Sequence, residues 1–171
     1  MRFLCASTNL NNKQLLEVIM IFIAHRGNIS GPDISENSPS HIDRAISLGY
    51  DAEIDVWVVG NTIYLGHDAP QYEIDEDFLE KRRNVIWCHA KNIRALHWLV
   101  GNNFNTFFHD TDDYTLTSKG VIWAYPGKEL VKGSVCVMPE MAEDSLYLEK
   151  NKDIISAVCS DYVELHKQNL S

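Results

Sequence analysis

The sequence holds no apolar run approaching the roughly 18 residues that a membrane-spanning helix needs. Cysteine is sparse: Cys5, Cys88, Cys136 and Cys159 stand far apart without a CxxC pair. That spacing argues against a disulfide framework or structural zinc site and for reduced thiols in a cytoplasmic compartment. Positive charge is also short, with 15 Lys+Arg against 24 Asp+Glu, a formal balance of −9. Nucleic-acid binders and proteins that dock on anionic lipid need basic surface, so neither class fits. There is no low-complexity linker and no internal repeat. What remains is ordinary globular composition, 45% hydrophobic and 23% charged, on 171 residues that suit one domain.

The apolar run from Leu15 to Ala24 is broken by Glu17 and closed by no small-residue cleavage site, so it does not read as a signal peptide. It leads directly into His25-Arg26-Gly27. Residues 1–19 therefore read as an N-terminal extension, an appendage or an upstream start, and residues 20–171 as the folded domain.

Apolar stretches at 21–24, 50–59, 62–65, 85–88, 106–108, 121–124, 135–138 and 154–159 predict short strands. Ser38-Pro39 predicts a helix start, with Ser38 as N-cap, and helical spacing also appears at 78–83 and 92–100. This order predicts an α/β domain with a parallel sheet and crossover helices.

Polar chemistry gathers where the strands end: His25 and Arg26, Glu53 and Asp55, His67 and Asp68, His89 and Lys91, with His109, Asp110, Glu140 and Asp161 further along. In parallel α/β folds such ends form the ligand-facing rim. Glu53 and Asp55 are two apart, so both carboxylates point to one face of their strand. They are either a solvated edge pair or a cation site, since burying both without compensation is costly. His89 and Lys91 repeat the spacing and offer a third ligand and a fixed cation. His25 and His67 suit acid–base work near neutral pH. Arg26 either grips a phosphate or carboxylate, or pairs with Glu36. Trp57, Trp87, Trp123 and Tyr125 either line the mouth of a site or belong to the core.

The ordered set His25-Arg26-Gly27, Glu36-Asn37-Ser38, Glu53-Ile54-Asp55-Val56 and His67-Asp68 resembles the glycerophosphodiester phosphodiesterase family of phospholipase-C-like enzymes. The likeness covers residues 22–68 and thins beyond residue 91. It implies a small, trimmed TIM-type (β/α) barrel of seven to eight parallel strands. It also implies metal-dependent hydrolysis of a small-molecule phosphodiester to glycerol 3-phosphate and an alcohol. By that likeness His25 and His67 share the acid–base work, Glu53 and Asp55 bind the metal, Arg26 contacts phosphate and Glu36 supports the rim.

The family's third ligand, a glutamate, corresponds here to His89, with Lys91 keeping a phosphate role. Mg²⁺ or Ca²⁺ is the expected ion, and the imidazole of His89 admits Mn²⁺ or Zn²⁺. The same scaffold also hosts lyase chemistry that releases a cyclic phosphate. The His89 departure leaves a non-catalytic phosphoester-binding protein as a further reading.

Overall fold

A computed structural model describes residues 20–170. The N-terminal extension expected at residues 1–19 lies outside the described residues. The chain opens with β1 (Ile21–Ala24), a 3₁₀ turn at His25–Gly27, α1 (Pro39–Ser47) and β2 (Asp51–Val59). Then come β3 (Thr62–Leu65), β4 (Tyr72–Ile74), α2 (Glu76–Glu80), β5 (Ile86–Ala90), α3 (Ile93–Gly101) and β6 (Thr106–Phe107). The last third holds β7 (Tyr114–Leu116), β8 (Ile122–Ala124), β9 (Val135–Val137), α4 (Tyr147–Asn151), β10 (Ala157–Ser160) and α5 (Val163–Leu170). Among the described residues no helix is long and apolar enough to cross a membrane.

Local chemistry accounts for the helix starts. The hydroxyl of Ser38 accepts the His41 backbone N–H at 3.3 Å, and Pro39, whose missing N–H costs nothing at that position, opens α1. Asp75 caps α2 through the Phe78 N–H at 2.8 Å, and Asn92 caps α3 through that of Ala95, also at 2.8 Å.

The strands form one mixed sheet of ten. Parallel ladders join β6, β5, β2, β1, β10, β9 and β8 in that order. Antiparallel ladders add β3 to the outer half of β2, β4 to β3, and β7 to β8. The expected (β/α) barrel of seven to eight parallel strands alternating with helices does not form. Between β2 and β5 the chain is spent on the β3–β4 pair and the five-residue α2. Between β6 and β8 it is spent on β7, with no helix. A complete barrel takes about 250 residues; this chain has 171 and substitutes hairpins for helices. No ladder joins β6 to β8 among the described residues. The turn after β7 lies between them, its Ser118 N–H donating to the Thr106 carbonyl at 2.7 Å.

The two faces of β2 separate core from site. Ile54 and Val56 face outward and pack with Ile42 of α1, Leu79 of α2, and Leu99 and Phe104 at α3. The inner face shares a second core of Ile23, Trp87, Phe107, Trp123 and Val135, drawn from strands right across the sheet. Glu53 and Asp55 alternate with the outward residues, so they sit on this inner face, almost wholly buried.

Ile54→Ala removes a side chain with no solvent exposure from the outward core. It should cost about 2–5 kcal/mol in denaturant unfolding. Leu48→Ala, at a half-exposed position after α1, should stay within about 0.5 kcal/mol. Equal losses would refute this placement of the core.

Candidate active site

The site forms where the parallel strands end. His25 and Arg26 follow β1, His89 is in β5 and Lys91 follows it, and Asp161 follows β10. His67 arrives differently, on the loop after β3, the antiparallel return of β2 itself. That loop is fixed by the Trp57 indole N–H, which donates to the Gly66 carbonyl at 2.6 Å. Gly66 has φ +145°, and a Cβ there would collide with the Ala69 carbonyl, so only glycine makes this turn.

Glu53, Asp55 and His89 each offer a ligand atom, all within 4.8 Å of one another. His89 Nδ1 lies 3.0 Å from Asp55 Oδ1 and 3.8 Å from Glu53 Oε1. The other ring nitrogen, Nε2, donates to the His109 carbonyl at 3.3 Å. In the neutral ring this leaves the Nδ1 lone pair turned toward the carboxylates. Asp55 Oδ1 is buried without a hydrogen-bond partner, although Lys91 Nζ is 3.5 Å away. Two carboxylate oxygens and an imidazole nitrogen converging on one point, one oxygen unmatched, fit a divalent cation.

The two carboxylates differ in their proton affinity. Burial and the charge of Asp55 push Glu53 upward. Burial also opposes ionisation of Asp55, but the hydrogen bond from His67 and the charge of Lys91 work against it, and Asp55 is held well below the usual carboxylate range. Asn37 adds to the clamp: its amide donates to Asp55 Oδ2 at 2.9 Å, and its carbonyl accepts the Asp55 backbone N–H at 2.9 Å.

Arg26 occupies the middle. Its backbone is left-handed, φ +52°, and its N–H reaches Glu53 Oε2 at 3.1 Å. Its guanidinium donates to Glu36 at 3.0 Å, so the Glu36 pairing is the one that forms, and Nε lies 3.3 Å from Asp55 Oδ2. A further guanidinium nitrogen is 3.2 Å from His67 Nε2. Arginine cannot accept, so Nε2 of His67 accepts and Nδ1 carries the proton toward Asp55 Oδ2 at 3.2 Å.

His25 is supported from the far end of the chain. Its Nδ1 donates to Asp161 Oδ1 at 2.7 Å, leaving Nε2 on the Glu53 side at 4.0 Å. Burial disfavours the imidazolium, but the Asp161 hydrogen bond and the Glu53 charge raise His25 above its ordinary value of 6.5. Asp161 is likewise held low: burial opposes ionisation, but the bond to His25 prevails. Buried Asn28 donates at 2.8 Å to both Asp161 and Glu36, which ties the supports of His25 and Arg26 together.

These groups face a cleft of about 530 Å³. His25, Arg26, Glu53, His67, His89 and Lys91 form its polar side. Glu36 stands behind Arg26. Trp123, Tyr125, His109 and Asp110 reach the cleft, whereas Trp57 holds the Gly66 turn and Trp87 bonds Asp51. Glu140 faces Ser160 and His166 instead, and Asp68 is almost fully exposed. Asn28 and Asn37 are not among the expected site residues, although Asn28 directly follows His25-Arg26-Gly27 and Asn37 is the middle residue of Glu36-Asn37-Ser38. No known family model matches the chain, and no curated protein does.

The His25–Asp161 pair contributes fully between about pH 3.8 and 6.5, the ordinary values of its members. It is lost above as His25 deprotonates and below as Asp161 protonates. In chelator-treated protein, Asp161→Asn should drop the NMR titration midpoint of His25, because burial then acts with less opposition. An unchanged midpoint would show that Asp161 does not support the ring.

Proposed function

We propose that this chain is a metal-dependent phosphodiesterase, acting on a glycerophosphodiester to give glycerol 3-phosphate and an alcohol. The observation that carries the reading is the convergence of Glu53, Asp55 and His89, with Asp55 Oδ1 unmatched, between two differently supported histidines. The motif likeness across residues 22–68 points the same way.

A divalent cation held by Glu53, Asp55 and His89 would supply Lewis-acid polarisation of a phosphoryl oxygen. Two carboxylates favour Mg²⁺ or Ca²⁺, and the imidazole admits Mn²⁺ or Zn²⁺. Lys91 and Arg26 supply fixed positive charge beside the same point, where charge builds as the phosphorus is attacked. His25 takes the proton of the attacking water at Nε2, and Asp161 behind Nδ1 stabilises the imidazolium. His67 protonates the leaving alkoxide. For this its Nε2 exchanges the Arg26 N–H for a proton, which a phosphate drawing on Arg26 allows.

Incubation with glycerophosphocholine, glycerophosphoethanolamine and glycerophosphoinositol, with Mg²⁺, Ca²⁺, Mn²⁺ or Zn²⁺ in turn, should release glycerol 3-phosphate, followed by ³¹P NMR. His25→Ala and His67→Ala should each lower kcat by about 10²- to 10⁴-fold. Glu53→Ala should abolish the metal response. A folded protein inert with every ion would refute the reading, and a cyclic phosphate product would replace hydrolysis by attack of a substrate hydroxyl.

A further inference from the structure

His25 and Arg26 rest on two different carboxylates, Asp161 and Glu36, and one amide holds both. Asn28 Nδ2 donates at 2.8 Å to Asp161 Oδ1, the oxygen that accepts from His25. It also donates at 2.8 Å to Glu36 Oε1, whose companion oxygen accepts from Arg26. Ionised carboxylates only accept, so the amide must turn its NH₂ end toward them. Its oxygen then points the other way. Asn28 has no solvent exposure, so that oxygen needs a donor from the protein.

The donor is His41, in the first turn of α1. Its Nε2 lies 3.1 Å from Asn28 Oδ1, and since the amide oxygen accepts, Nε2 carries the proton. The ring is gripped elsewhere too. Its Nδ1 is 3.1 Å from the Ser35 hydroxyl, which donates to Asp33 at 2.5 Å. The turn that carries His25 and Arg26 lies directly against it: a Cβ on Gly27 would come within 2.9 Å of His41 Cδ2. An apolar side chain could fill this buried position without the cost of hiding polar atoms. An imidazole matched at both nitrogens orients its neighbour instead. Without it the Asn28 amide is free to turn, and a turned amide sets its oxygen against two carboxylates.

We infer that His41 is a positioning residue: by fixing the Asn28 amide, it sets the acid–base His25 and the charge-supplying Arg26 together. The inference rests on the phosphodiesterase reading for what those two groups do. His41 itself acts only through Asn28, from behind the cleft.

Two substitutions test this in the full chain. His41→Leu fills the space without an N–H, whereas His41→Gln carries one as many bonds from Cβ as Nε2 is. A ¹⁵N–¹H correlation spectrum with Mg²⁺ reads the Asn28 side-chain amide, identified by Asn28→Ala, and glycerophosphodiester turnover reads the consequence. His41→Leu should move the amide pair, lower kcat about three- to tenfold and raise KM, and His41→Gln should restore all three. Packing alone would rank the variants the other way, since leucine keeps the buried position apolar. Adding His41→Leu to Asn28→Ala should cost no further activity, because the effect runs through Asn28. An amide pair unmoved by His41→Leu would overturn the positioning role. So would a pair that moves while kcat and KM keep their wild-type values, and that result would leave the phosphodiesterase reading standing. A pair that moves with leucine and returns with glutamine, in a protein inert toward every diester, would overturn the phosphodiesterase reading and keep His41 as the group that orients Asn28.

Discussion

Two carboxylates on one strand, two residues apart and almost wholly out of water, are the constraint around which the rest is arranged. Left alone, Glu53 and Asp55 repel each other in a medium that screens little. The surrounding structure answers with position rather than bulk charge. Asn37 clamps Asp55 from the loop before α1, Arg26 turns left-handed to aim its N–H at Glu53, and His89 and Lys91 approach from the neighbouring strand. A protein with formal charge −9 thereby gathers two of its fifteen Lys+Arg at one point.

The two histidines show how one fold differentiates identical side chains. His25 rests on a carboxylate that belongs to the other end of the chain, 136 residues away, and that carboxylate is itself fixed by Asn28. His67 rests on Asp55, a residue of the cation-binding set, and faces a guanidinium at its other nitrogen. One ring therefore takes its hydrogen bond from a carboxylate outside the pair, with Glu53 adding only its charge, and the other is bound to the pair directly. Loss of Asp55 acts on His67 by direct contact, and loss of Glu53 acts on His25 across 4.0 Å.

Much of the site was legible in the sequence because its signals are local. The i, i+2 spacing of Glu53 and Asp55 put both on one face, and the same spacing placed His89 and Lys91 beside them. Ser38-Pro39 marked the start of α1 at the right residue. Asp161 stood out as a strand-end acid, but its partner was not legible, since the parallel pairing of β1 with β10 is a long-range event. The fold was misjudged for a related reason. Short apolar runs reveal strands without revealing their direction, and β4 and β7, each three residues long, carry too little pattern to declare themselves. These two strands, with β3, turn an expected parallel barrel into a mixed sheet.

The hairpin that delivers His67 divides the site by stability. Glu53 and Asp55 lie in a strand paired on both sides and packed against three helices. His67 hangs from β3, whose outer neighbour is the three-residue β4 at the end of the sheet. Native-state opening proceeds from such edges inward. Ile63 and Leu65 hold β3 in the core, so local opening is confined to β4 and the loop after β3, where it would move one histidine while the carboxylates and His25 stay assembled. Native-state amide exchange is expected to find the cation-binding strand in the slow tier and the loop that carries His67 in a faster one.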